Sequence, residues 1–497
     1  MPPSRKGSSF LPQQFFSKLS KDTFIYGFGN IFSKGASLIL LPIYTRLFTP
    51  AEYGIIEMLT IVTSFLSIIL MFGMTGAQNF FFFEQKQNGK QHQARLVTGI
   101  LQFRLIWGVL ILAIAMIFSP FLNSWLFDEE LTWVVFAAAF SGAWFYQIMS
   151  QGADIYRLLF RPWPYLIITT IHSLISAAIA IGLVIWLNGG LTGYFVGLSI
   201  GALASSIGSW WFVRDYINWS NLHKDWWQAL LKFGWPLIFG GLAMTIRNSS
   251  DRIFIKYFLS FNHMGIYASS IKVAAIASAI SGIFILAFTP YSQELLHNND
   301  KAKANKIFEL SLRYYGFIFL SLVIIIATFA PYIVKLILPR NYFSSHYMVG
   351  ILSLSSVFLG LTSFSSLGSW KTKKTSLYSI SVVIATCITI IMNYFLIPLH
   401  GLYGAAVSSA AGMLSLVFFS FYFSHICWPI SFNYATLVIQ IFICLLGLLS
   451  IHISSLLEEG FQGRFLIMAG FLVILMGISV RKSEIRQLNV MWKQLKS

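Results

Sequence analysis

Charge is what this sequence has least of. Only 10% of its 497 residues are Asp, Glu, Lys or Arg, against roughly 25% in soluble domains, too few to coat a water-facing surface. Cysteine is scarce as well. Cys387, Cys427 and Cys444 lie in or beside apolar segments with no metal-ligand spacing and no evident disulfide partner, which leaves packing as their role. Long polar stretches are missing: the longest connections, around 214–228 and 291–311, leave no room for a soluble domain. That argues against a membrane-embedded glycosyltransferase or polymerase, whose catalytic carboxylates commonly project from a large loop. Outside the tail, the one acidic cluster of the outer connections is Asp128-Glu129-Glu130, better read as outer-face charge than as a catalytic centre. A Gly-x-x-x-x-Gly-Lys-Ser/Thr run is absent too, so no nucleotide or other cofactor is expected. His172 and His452 stand alone on apolar segments and are read as satisfied or interfacial side chains.

What is there is apolar. Hydrophobic residues make up 57% of the chain, and the mean hydropathy is +0.72. Runs long enough to cross a bilayer follow one another from about Thr23 to Val480. About 14 are counted, near 23–45, 54–80, 96–119, 131–152, 163–187, 191–213, 229–256, 264–289, 312–338, 347–370, 377–398, 402–424, 434–454 and 463–480. The chain therefore reads as an all-α polytopic membrane protein. Residues 1–22 form a polar, basic lead with no cleavage site behind it, in which Phe10, Phe15, Phe16 and Leu19 fit a short interfacial amphipathic helix.

The net charge of +17 is not read as a nucleic-acid signal, because of where the cations sit. Lys and Arg collect in every second connection, from Lys86, Lys90 and Arg95 through Arg157, Arg161 and Arg214 to Lys301, Lys371 and the tail. The alternate connections carry Asp128, Glu129, Glu130, Glu458 and Glu459. The basic face is expected to be cytoplasmic, with both termini on it.

Three stretches recur at one spacing. Phe118-Ser-Pro120-Phe returns as Phe329-Ala-Pro331-Tyr, Gly190-Leu-Thr-Gly193 as Gly401-Leu-Tyr-Gly404, and Tyr53-Gly54-Ile55 as Met264-Gly265-Ile266. The offsets 329 − 118, 401 − 190 and 265 − 54 are each 211, far beyond a solenoid period. Two related halves of one topology are expected, with a site between them that rocking exposes to either side, as in transporters. The expected organisation is an N-terminal segment (1–22), an N-lobe (23–213, spans one to six), a linker (214–228) and a C-lobe (229–424, spans seven to twelve). Two outer spans (434–480) and a tail (481–497) follow. Gly190, Gly193, Gly401 and Gly404 suit tight turns and close helix approach rather than ligand contact.

Ionisable groups inside spans are costly and gather at functional interiors. Those here are Lys34, Glu57, Arg104, Arg247, Asp251, Arg252, Lys256 and Lys272. Arg247 and Asp251 are four apart and are expected to pair along one helix face. Arg252 then points about 100° away and is left over. Arg104 and Lys256, nearer span ends, are expected to snorkel. Counted from a turn near Asn262, Arg252 and Lys272 fall at similar depth, roughly 15 Å from the outer surface. Six bases against two acids would draw in an anion.

Longer segments carry a family likeness. Pro42-Ile-Tyr-Thr-Arg46-Leu47-Phe-Thr-Pro50-Ala-Glu52-Tyr53-Gly54, Asn248-Ser-Ser-Asp251-Arg252-Ile-Phe-Ile with Gly265-Ile-Tyr267, and Asn393-Tyr-Phe-Leu-Ile397-Pro398-Leu-His-Gly401-Leu-Tyr-Gly404-Ala-Ala resemble signatures of the polysaccharide-biosynthesis membrane proteins. These are the O-antigen flippase type within the multidrug, oligosaccharidyl-lipid and polysaccharide exporter superfamily. Gln78-Asn79-Phe80 departs from the family, which often has an arginine there. The resemblance implies two six-helix lobes with two extra helices, a bacterial inner-membrane location and no enzymatic activity. It also implies carriage of a polyprenyl-diphosphate-linked oligosaccharide, with membrane lipids and polysaccharide-assembly proteins as further partners and no nucleic acid. Lys34, Arg247, Arg252 and Lys272 are the candidates for holding the diphosphate or acidic sugars, with Asp251 as supporting ion-pair partner. A multidrug-type cation exporter stays open as an alternative, as does, more remotely, a membrane glycosyltransferase.

Overall fold

The computed structural model describes residues 37–85, 88–128, 130–218, 225–297, 301–372, 374–456 and 460–480, and they are helical almost throughout. The elements are α1 (Ser37–Leu47), α2 (Pro50–Met71), α3 (Met74–Gln85), α4 (Lys90–Leu126), α5 (Trp133–Leu158), α6 (Pro162–Trp186) and α7 (Gly190–Phe212). After them come α8 (Asp225–Phe258), α9 (Phe261–His297), α10 (Lys301–Ile337), α11 (His346–Ser365), α12 (Leu367–Lys371), α13 (Thr375–Cys427), α14 (Tyr434–Leu456) and α15 (Phe461–Ser479).

Local chemistry sets several of these boundaries. The α2 helix opens on a capping box in which the Glu52 amide donates to Thr49 Oγ1 at 3.3 Å and the Thr49 amide donates to Glu52 Oε2 at 2.8 Å, with Pro50 behind the cap. Such a box satisfies amides that would otherwise be orphaned at the helix start. The same span is broken between α2 and α3, where Phe72 and Gly73 both take positive φ, 44° and 69°. Within α13, Gly401 has φ 58° and ψ −136°, and a side chain at Gly412 would strike Thr389. The helix therefore folds back on itself as two antiparallel arms.

The repeat is visible in the element bounds. Both α4 and α10 are 37 residues long, their starts (301 − 90) and ends (337 − 126) are each 211 apart, and so are the starts of α2 and α9 (261 − 50). Gly190 and Gly401, one period apart, share a positive φ of 50° and 58°. A Cβ at Gly193 or Gly404 would press on the backbone of Leu183 or Leu396, the close approach expected of them.

Among the described residues 12 helices are long and apolar enough to cross a membrane, so the count of 14 is not reached. The arms of α13 run together as one helix, and most of the span expected at 23–45 lies outside the described residues. In the first half α5 and α6 pack on α7; in the second α11 packs on α9, α10 and α13, and α8 on α13, while α14 and α15 lie against α10. The halves meet where α2 crosses α9 and α8 and, towards the basic end, where the first part of α8 packs on α3 and α4; there Phe80 stacks on Phe233 at 5.2 Å and Trp227 Nε1 donates to the Gly99 carbonyl at 3.2 Å.

Connections alternate between two ends. At the basic end Lys90 Nζ lies 3.4 Å from Asp215 Oδ2, and Lys371 reaches the Leu296 carbonyl. At the opposite end Lys256 Nζ donates to Asp128 Oδ1 at 3.0 Å, Tyr342 Oη donates to the Phe48 carbonyl at 2.9 Å, and Phe127 stacks on Phe261 at 5.8 Å. These last three contacts join the two halves and close that end. The N-terminal segment, the middle of the linker and the tail lie outside the described residues.

Candidate functional site

The site is built on α8, where Arg247, Asn248, Asp251 and Arg252 share one face by their spacing. With Ile271 and Ala274 of α9, Leu352, Ser355 and Ser356 of α11, and Thr389, Ser409 and Met413 of α13, they line a cavity of about 220 Å³ inside the second half. Pockets that hold drug-sized ligands measure roughly 300–1,000 Å³, so this cavity is smaller than those.

The pairing is the reverse of the expectation. Asp251 does not pair with Arg247. Its carboxylate accepts from the Arg252 amide at 2.8 Å, from Arg252 Nε at 3.4 Å, from Tyr267 Oη at 2.9 Å and from Ser409 Oγ at 3.2 Å. Nor is Arg252 left over: its Nη1 donates to Glu57 Oε1, across the interface on α2, at 2.5 Å, and its Nη2 to the Asn248 carbonyl. Helical-wheel geometry handles one helix at a time, and Glu57 comes from the other half of the chain.

Arg247 has what remains. Its Nη2 donates to Asn248 Oδ1 at 3.2 Å, its Nη1 lies 2.9 Å from the Met413 sulfur, and its buried Nε has no partner. Among the described residues no carboxylate is within ion-pair distance of it, although the residue is only 7% exposed. Lys272 does not line this cavity; it sits within electrostatic reach of Glu57 without touching it. The α8–α9 turn falls at Leu259–Ser260 and not near Asn262. Arg252 is therefore about 10 Å from that turn and Lys272 about 16 Å, a helical turn deeper and not level with it. Lys34 lies outside the described residues.

A second polar cluster was missed. Arg104 does not snorkel: at 2% exposure it donates to the Gln147 carbonyl at 2.5 Å and to Thr75 Oγ1 at 2.9 Å. Nearby, Arg157 donates to Asn79 Oδ1 at 3.3 Å and lies 3.0 Å from Asp154. Thr75 and Asn79, one turn apart on α3, thus each hold an arginine from another helix. The polar residues Gln147, Gln151 and Asp154 at helical spacing on α5 are the sequence signal that would have exposed this cluster. Lys256 does reach the end of its span, where Asp128 meets it. His172 has Ser176 Oγ at 3.4 Å, and His452 stacks on Tyr403 at 4.5 Å. No group of three or more metal-type side chains occurs among the described residues.

Two related helical halves, with 12 helices among the described residues long and apolar enough to cross a membrane, make this a polytopic membrane protein with a polar cavity inside its second half. The family model described as polysaccharide biosynthesis protein matches residues 19–296, and the chain belongs to that family. An Lsg locus protein of Haemophilus influenzae is 24% identical over 287 residues, 56% of this chain and 67% of that one. Among solved structures, the lipid II flippase MurJ in its inward closed conformation is similar with a TM-score of 0.66 at 13% identity, over 91% of this chain and 98% of its own. An inward-facing multidrug resistance MATE transporter follows at 0.59 and 14% identity, over 84% and 96%. At these identities the likeness establishes the fold.

Proposed function

We propose that the protein moves a polyprenyl-diphosphate-linked oligosaccharide across the bacterial inner membrane by alternating access, with the basic end and both termini in the cytoplasm. The observation that carries this reading is Arg247: a buried guanidinium opening on a cavity, with no carboxylate within ion-pair distance among the described residues. A cation at such depth is costly to keep and marks a ligand path by default, and a planar guanidinium suits two phosphate oxygens. The hydroxyls of Ser355, Ser356 and Thr389 in the same wall donate to the Ser409, Leu352 and Ala385 carbonyls, so the guanidinium is the donor offered to a ligand, and Lys272 adds positive field from α9. The 220 Å³ space accommodates the diphosphate end, while the sugars occupy the space that opens between the halves. The alternation of charge between connections supports the orientation. A cation exporter is less well supported, because Asp251, the carboxylate of the cavity, already accepts four hydrogen bonds.

The test uses Arg247→Gln and Lys272→Gln in the native host. Both should insert normally and block export, with lipid-linked oligosaccharide accumulating on the cytoplasmic leaflet. Arg247→Lys should restore export only partly, because an ammonium lacks the fork. Normal export from well-expressed Gln variants would overturn the assignment.

A further inference from the structure

One contact belongs both to the cavity and to the seal between the halves. Arg252 lines the cavity. Its partner Glu57, 7% exposed, sits one turn along α2 from Gly54, where an added Cβ would strike the Phe261 carbonyl. Nη1 donates to Glu57, Nη2 to the Asn248 carbonyl and Nε to Asp251, so one further N–H remains on each Nη. A phosphate oxygen that arrives there meets the Glu57 carboxylate on the same guanidinium, and two anions on one partner repel.

We propose that Glu57 is the resting occupant of the anion site, a carboxylate that stands in for a ligand oxygen and ties the halves together until a phosphate displaces it. The inference rests on the cavity being an anion site, as argued above. Opening the sealed end without a ligand separates Arg252 from Glu57 and leaves buried charges unpaired, which is strongly unfavourable. Opening it with a phosphate on Arg252 releases Glu57 alone, and Lys272, already within its field, is there to receive it. Empty carriers thus stay shut and loaded ones open. Lys256–Asp128 joins the same two halves one turn further along α8, but with Asp128 65% exposed it makes a weak tie that phosphate does not contest. Glu57 acts through Arg252 and is a positioning residue.

The experiment uses the full chain in nanodiscs, with Cys387 and Cys427 replaced by Ser and the buried Cys444 retained. Spin labels go on Trp125→Cys and Tyr257→Cys, exposed positions near the sealed end on opposite halves. Inorganic pyrophosphate is the probe. The parent protein should bind it and show a longer label distance when it does. Glu57→Gln should bind about tenfold more tightly, the effect of roughly 1.4 kcal/mol of removed competition, and show the longer distance with no pyrophosphate present. Glu57→Asp should stay closed at rest and bind more tightly by a smaller factor, since its carboxylate is drawn back by one methylene.

Tighter binding by Glu57→Gln with the distance still short makes Glu57 a mere competitor and overturns the proposal while the anion site stands. Unchanged affinity overturns it equally. If Glu57→Gln cannot be recovered, unchanged affinity in Glu57→Asp has the same force. Pyrophosphate binding to none of the forms removes the anion site, and the proposal with it.

Discussion

Gly54 offers a direct test of how the sealed end is held. A Cβ built on Gly54 runs into the Phe261 carbonyl, and one built on Gly265 runs into the Pro50 carbonyl. Each glycine thus faces the first residue of the opposing helix, backbone on backbone, with no flexible side chain to yield. Gly54→Ala must separate α2 from α9, and it does so only in the state where the two touch. Overpacking of this kind costs about 1–3 kcal/mol, so the population open at this end should rise by about 5–150-fold. Phe127, 6% exposed and stacked on Phe261, is the reporter. In a background lacking Cys387 and Cys427, Phe127→Cys should react with a membrane-impermeant maleimide faster by that factor when Gly54→Ala is added. Gly265→Ala should do the same, and the double variant should exceed either single by little, because both perturb one interface. An unchanged labelling rate in well-expressed Gly54→Ala would refute the reasoning, as would effects of opposite sign at the two glycines.

Further outcomes follow from other contacts. Reporter fusions after Glu130 and Arg340 should read external and those after Lys90 and Lys374 cytoplasmic; consistent reversal would invert the proposed orientation. Arg104→Ala should lower stability by about 1–3 kcal/mol, because Thr75 Oγ1 and the Gln147 carbonyl lose a buried donor, measurable as a lower melting temperature in detergent. Asp128→Asn should change stability and transport little, by less than about 1 kcal/mol, since its carboxylate is largely solvated; a large transport defect would show that the Lys256 tie matters more than its exposure allows.

Much of the architecture was legible in the sequence because duplication writes itself twice. Pro120 and Pro331, Gly190 and Gly401, and the opening residues of α2 and α9 carry the period without any knowledge of packing. The turn at Gly401 was legible for the same reason, since a glycine in the left-handed region repeats where its partner does. The site was legible only as a set of costly charges on α8 and α9. Which acid meets which base is decided by neighbouring helices: Tyr267 and Ser409 fill the Asp251 carboxylate, and Glu57 arrives from α2 to claim Arg252. Helical spacing carries none of that. Arg104 was misread because distance from a span end says nothing about whether a carbonyl, here that of Gln147, waits at depth. Lys272 was placed level with Arg252 because the turn falls about three residues earlier than expected, which moves one cation outward and the other inward.

The crossing of α2 and α9 has a consequence for symmetry. Gly54 and Gly265 are the same position in the two copies of the repeat, and they lie against each other. An interface in which a patch meets its own duplicate is isologous, the kind that a twofold homodimer makes. A twofold-like contact of this kind makes each glycine the other's counterpart across one surface. Beside it the copies differ: Asp251 and Arg252 stand on α8 where Leu40 and Leu41, 211 residues earlier, stand on α1. The seal is symmetric, while the cavity beside it is one-sided.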